Sequence, residues 1–236
     1  MNATPLTILI EGHDSISGLK QGPTAPAGVY VFAHGAGAGM AHRFMQDVAD
    51  GLAERGIATL RFNFPFMERG SKRPDLPAVA HAAVRAAVDE AARHYPGVPL
   101  FAGGKSFGGR MTSQAQAADP LPGVRGLAFV GFPLHTPDRP SASRAEHLAR
   151  VAVPLLFVQG TRDKLADFSL LQTEITKLGP GSTLLSIAQA DHAFHVLRRS
   201  GRTDEEVMVQ VLDGMAAWMR RIATNGGNDF QPAGRT

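Results

Sequence analysis

Apolar residues fall in short runs separated by stretches where they recur every three or four positions. Gly28-Val29-Tyr30-Val31-Phe32-Ala33, Ile57 to Phe62, Val98 to Ala102, Gly126 to Gly131, Pro154 to Gln159 and Ser182 to Ile187 read as strands. Most of these runs are unbroken, as a strand covered on both faces requires. Leu6 to Glu11 and Ser15 to Lys20 read as a further pair, a hairpin around Gly12-His13-Asp14. Helical periods lie between the runs. Phe44, Val48 and Leu52 share one face, and Gly56 is placed to end that helix. Ala78 to His94 is alanine-rich, with Val84, Val88 and Ala91 aligned; Phe107 to Ala118, Ala142 to Arg150 and Leu165 to Leu178 are also helical. Thr203-Asp204-Glu205-Glu206 is a capping box opening a last helix whose face carries Val207, Val211, Met215, Trp218 and Ile222. Gln21 to Ala27 and Asn63 to Pro77, rich in proline and glycine, read as loops, and residues 225–236 as a flexible tail. Strand and helix alternate from residue 28 onward, which predicts an α/β fold: one domain over residues 1–224, a mostly parallel sheet with helices on both faces.

Composition narrows the chemistry. The 236 residues are 44% apolar, enough to bury the core of one large domain. The absence of cysteine removes disulfides, thiolate metal sites and a cysteine nucleophile. A formal charge of +3, with small basic groups at Arg69, Lys72, Arg73 and at Arg198, Arg199, Arg202, is too diffuse for a nucleic-acid surface and reads as a solvated face. Met1 to Pro5 shows no basic and apolar leader, and no apolar run approaches the ~20 residues of a membrane span, so a cytoplasmic protein without membrane contact is expected. No histidine or acidic cluster has metal-ligand spacing, and no cofactor is expected.

The run ending at Ala102 leads into Gly103-Gly104-Lys105-Ser106-Phe107-Gly108-Gly109. Strand, glycine-flanked serine, helix is the arrangement of a nucleophile elbow, where glycines remove the Cβ atoms that a very tight turn would drive into its neighbours. A phosphate loop would need a glycine where Pro99 stands, and Met40 occupies the third glycine position of a dinucleotide fingerprint in Gly35-Ala36-Gly37-Ala38-Gly39. A serine nucleophile needs a base and an acid to orient it, and on an α/β sheet these follow in the order Ser, Asp, His. Asp163 lies just past the run ending at Gln159, and His192 just past the one ending at Ile187. Ser106, Asp163 and His192 are therefore the candidate catalytic residues, with the backbone N–H groups of Phe107 and Ala36 as oxyanion donors and Gly37 as an alternative to Ala36. Each has a plainer reading. Asp163 could cap a helix, Asp191 could hold a turn, and His195 could be the base instead. His34 reads as a brace for its loop, while His13, His42, His81, His94, His135 and His147 lack strand-end context and read as surface residues.

With these motifs the chain resembles the α/β-hydrolase superfamily over nearly its full length. The segments His34 to Met40, Arg61 to Gly70 and Gly104 to Met111 look like the KANL3/Tex30 branch, near the dienelactone-hydrolase-like proteins. The resemblance implies an α/β-hydrolase fold of about eight strands, one of them antiparallel near the N-terminus, with Ser106 as nucleophile, Asp163 as acid and His192 as base. Dienelactone hydrolases proper use cysteine, which this chain lacks, and haloalkane dehalogenases and epoxide hydrolases carry aspartate where Ser106 stands. Many relatives insert a cap where this chain has only Phe132 to Val153, so no large cap domain is expected. Phe66, Met67, Phe132 and His135 are then candidate rim residues for substrate, and Lys105 and Arg110 either serve structure or favour an acidic substrate. The implied activity is hydrolysis of a small ester or acyl substrate. The alternatives are acyl transfer or peptidase action with the same residues, or a non-catalytic interaction domain on the same fold.

Overall fold

The computed structural model describes residues 2–224; the tail expected at 225–236 lies outside the described residues. The chain forms β1 (Thr4–Ile8), β2 (Ile16–Gln21), β3 (Gly28–Ala33), α1 (Arg43–Glu54), β4 (Ile57–Phe62), α2 (Pro65–Glu68), α3 (Pro77–His94) and β5 (Leu100–Lys105). It continues with α4 (Phe107–Ala118), β6 (Val124–Val130), a 3₁₀ helix (Ser143–Arg150), β7 (Leu155–Gly160), α5 (Phe168–Lys177), β8 (Ser182–Ile187) and α6 (Asp204–Thr224). The strands make one sheet in the order β1-β2-β4-β3-β5-β6-β7-β8. β2 pairs antiparallel with both β1 and β4, and every other pair is parallel.

Alternation along the strands divides the core in two. Val29, Val31, Ala102, Leu127, Phe129 and Phe157 pack under α3, α4 and α5, while Tyr30, Phe32, Phe101, Ala128, Val130 and Val158 pack under α1 and α6. β3, β4 and β7 are buried along their whole length, β3 as its unbroken apolar run requires, and β4 and β7 with Thr59, Arg61 and Gln159 buried among their apolar residues. All parallel strands end at one edge, so the residues that follow β3, β5, β7 and β8 meet there.

Several elements depart from the pattern, among them the first strand, expected from Leu6 to Glu11 and found at Thr4–Ile8. The loop expected from Asn63 to Pro77 contains the short helix α2, started by Pro65 at its first position. The strand expected over Val98 to Ala102 runs on to Lys105, because Gly103 and Gly104 pair with both β3 and β6. The helix expected from Leu165 starts at Phe168, with the Asp167 carboxylate accepting from the Leu170 amide. Between β6 and β7 there is room for the 3₁₀ helix and no cap. No helix among the described residues is long and apolar enough to cross a membrane.

Candidate active site

The turn between β5 and α4 is built from exclusions. A Cβ on Gly104 would lie 2.5 Å from the Ala33 carbonyl oxygen, and one on Gly108 would lie 2.5 Å from the same atom. At Gly103 a Cβ would collide with the Ala128 carbonyl oxygen. With these three positions bare, Ser106 takes φ 51° and ψ −115°, outside the regions L-residues ordinarily occupy. The strain, of order 1–3 kcal/mol, is held by Ser106 N–H donating to the Val130 carbonyl at 3.2 Å and by the first turn of α4 closing behind it through Arg110 N–H to Ser106 O.

Asp163 and His192 meet beside this turn. The His192 Nδ1–Asp163 Oδ2 distance is 2.6 Å, and the carboxylate side chain is fully buried. Asp163 also accepts from Gln159 Nε2 at 2.6 Å and from the Leu165 amide at 2.8 Å, so its charge is held by three donors. Gln159 in turn accepts from the Phe132 amide at 2.8 Å, which ties the acid to the end of β6. Gly131, at φ 70°, makes space for the imidazole: a Cβ there would lie 3.3 Å from the ring. His192 is thereby committed through Nδ1, which leaves Nε2 for a proton from a nucleophile. No hydrogen bond joins Ser106 Oγ to His192 among the described residues; in unliganded hydrolytic sites such bonds commonly tighten only around substrate. His195 faces elsewhere, with Nδ1 2.8 Å from Asp204 at the start of α6. Asp191 accepts from the amides of Ala193 and His195, holding the loop as a turn residue.

Ala36, Ser106 and Phe107 line one cavity of about 340 Å³ at the same edge. The loop that carries Ala36 is fixed from below. His34 is fully buried; its Nε2 accepts from the Phe64 amide at 3.0 Å and its Nδ1 lies 2.7 Å from Gly35 O. Burial lowers its pKa, in keeping with a neutral brace. Arg61, buried within β4, donates to Met40 O, Gln21 and Gln46, and Asn63 accepts from the Met40 amide at 2.9 Å.

The family described as the alpha/beta hydrolase domain matches residues 26–220, which covers the sheet from β3 onward together with Ser106, Asp163 and His192. The chain belongs to that family. Solved structures share the fold of this chain at low identity. A dienelactone hydrolase from Anabaena variabilis is 19% identical over 93% of this chain and 97% of its own, with a TM-score of 0.75. A serine hydrolase without a lid from Xanthomonas campestris is 21% identical over 92% and 94%, at 0.72. An α/β serine hydrolase homologue from Coxiella burnetii is 20% identical over 94% and 97%, at 0.70.

Several expectations for residues around the cavity need correction. Phe66 and Phe132 do not line the cavity; both are fully buried, Phe66 against His34 and Phe107, Phe132 against Phe129 and Phe157. His135 is buried too, with Nε2 2.6 Å from the Asp167 amide and Nδ1 2.7 Å from Thr136 O. Met67 is half-buried behind Gly39 and outside the cavity lining. His147, expected at the surface, is buried against Ser113 at 2.7 Å, and its pKa falls to about 4, chiefly through burial. The lining instead comprises Pro74, Asp75, Pro77, Arg110, Met111, Pro133, Arg144 and Leu165 around the serine. Arg144 and Asp75 carry no sequence signal for this place, because loops far apart in the chain bring them there. Lys105 turns away from the cavity. Its Nζ donates to the His192 carbonyl and sits 5.4 Å and 5.1 Å from the ring centres of Phe44 and Phe194. It ties the residue before the serine to the backbone of the histidine.

Proposed function

We propose that the protein is a serine hydrolase of carboxylic esters that works through an acyl-enzyme at Ser106. The observation that carries this reading is the 2.6 Å pairing of the buried Asp163 carboxylate with His192 at the sheet edge where the strained Ser106 turn stands. In this reading Ser106 Oγ attacks the ester carbonyl carbon as His192 Nε2 takes its proton. Asp163 fixes the tautomer and stabilises the imidazolium. The amides of Phe107 and Ala36 donate to the oxyanion as it forms. His192 then gives its proton to the departing alkoxide, leaving the acyl group on Ser106. Water repeats the attack with His192 again as base, releasing the acid and restoring Oγ–H. The absence of a cap between β6 and β7 and a cavity of about 340 Å³ suit a small ester. Within the family we place the chain with the KANL3/Tex30-like proteins, on its segments His34 to Met40, Arg61 to Gly70 and Gly104 to Met111.

A fluorophosphonate probe should label the wild-type protein and not Ser106→Ala, and p-nitrophenyl ester turnover should fall about 10³-fold or more in that variant. Equal labelling of Ser106→Ala would remove Ser106 from the role of nucleophile.

A further inference from the structure

Two guanidinium groups share the cavity with Ser106. Arg110 stands one helical turn after the serine, on the same face of α4, and Arg144 reaches in from the 3₁₀ helix. No carboxylate among the described residues pairs with either. Arg144 Nη1 donates to the His135 carbonyl at 3.0 Å, whereas Arg110 Nε is buried with no hydrogen-bond partner. Burial and then the charge of Arg144 both lower the pKa of Arg110, so the two cations are close enough to repel. The acid in the lining, Asp75, is already engaged: one oxygen accepts from the Phe66 amide at 2.8 Å and the other pairs with Arg69 at 2.5 Å. Its side chain is 4% exposed. His147, close enough to Arg110 to feel its charge, is neutral near pH 7 and adds no third positive charge. A buried guanidinium donor without a partner is costly, and two facing the same space cost more. A carboxylate or a phosphate accepts from such planar forks in a bidentate way and removes both penalties at once. The N-terminus of α4 adds a favourable field for an anion there.

We infer that the ester cleaved at Ser106 bears an anionic group, a carboxylate or a phosphate, which Arg110 and Arg144 receive. This rests on the ester-hydrolase reading and names its substrate class. The apolar remainder of the lining, Pro133, Met111 and Leu165, fits the short carbon chain between that anion and the ester carbonyl.

The test compares two esters of equal chain length, mono-4-nitrophenyl glutarate and 4-nitrophenyl valerate, after subtraction of spontaneous hydrolysis. Wild type should favour the glutarate ester in kcat/KM by about 10- to 100-fold. Arg110→Gln and Arg144→Gln should each bring that ratio towards one, and Arg110→Lys should keep part of it, with circular dichroism confirming the fold of each. A wild-type ratio near one, or a ratio unmoved in Arg110→Gln, overturns the inference while leaving the hydrolase reading intact. Loss of both ester activities together with unchanged probe labelling in Ser106→Ala would instead strike the hydrolase reading. Calorimetric binding of glutarate and of inorganic phosphate to Ser106→Ala reads the anion site without turnover and separates the two anions. Binding that weakens at least 10-fold in Ser106→Ala/Arg110→Gln supports the site, and binding of neither anion overturns it.

Discussion

Lys105 holds its ammonium group between the rings of Phe44 and Phe194, with the His192 carbonyl as its hydrogen-bond acceptor. Burial lowers its pKa to about 8, an effect that Asp163 and Asp191 partly offset. In the unfolded chain a lysine titrates near ~10.4. Below pH 8 both states carry the proton and the cost of burying it is present in full. Between about 8 and 10.4 the unfolded state binds more protons, so this group adds stability as pH rises. The unfolding free energy of wild type relative to Lys105→Met should therefore rise by a few kcal/mol, about 3, from pH 8 to pH 10.5, read from urea titrations. A difference that stays flat with pH would show that the amine is not desolvated. Nothing around Lys105 in the sequence announces this role, because Phe44 and Phe194 come from a distant helix and a distant loop. Ser106, Asp163 and His192 could be named as candidates for the opposite reason: each comes within five residues of the end of an apolar run. Phe66 and Phe132 lie in the core and not at a rim, because an apolar residue in the sequence does not tell which way it faces.

At the scale of elements, periodicity located α1, α3, α4 and α6 well and left α2 unseen, since four residues cannot display a period. α6 shows a local signal with a remote consequence. Thr203 N–H donates to Glu206 at 2.9 Å and the Glu206 amide to Thr203 Oγ1 at 3.2 Å, the reciprocal bonds of a capping box. In the turn so formed, Asp204 accepts from the Val196 amide at 2.9 Å and pairs with His195. The helix start thus anchors the loop that presents His192. Thr203→Ala should lower stability by about 1 kcal/mol in urea unfolding. An unchanged midpoint would show that the cap is not needed to start the helix. The later start of α5 has a related cause: residues 165–167, which the sequence reading gives to the helix, belong to the turn that holds Asp163 beside His192, with the Leu165 amide donating to Asp163 and Asp167 capping the helix.

In the whole molecule the proposed catalytic groups are unequally supported. β3 and β5, which frame the serine, lie at the centre of the sheet, whereas β8 is its edge and is largely half-exposed. α5, which covers that edge, buries Leu171 and Ile175. Segments with few buried contacts open at lower free energy than the core. Backbone amides of β8 and α5 should exchange hydrogen faster than those of β3 and β5, and ester turnover should fall at urea concentrations below the main unfolding transition. Equal protection across the sheet would count against this gradient. The fold class was legible because alternation of strand and helix is written along the whole chain; the edge gradient depends on strand order, which no local pattern encodes. The backbone at Ser106 has a consequence of another kind. Glycine would accept its dihedral angles without strain, so selection for folding alone acts against serine at that position. On the proposed role of Ser106, lineages that stop using the hydroxyl are expected to drift to glycine at position 106, and the turn would outlast the chemistry proposed for it.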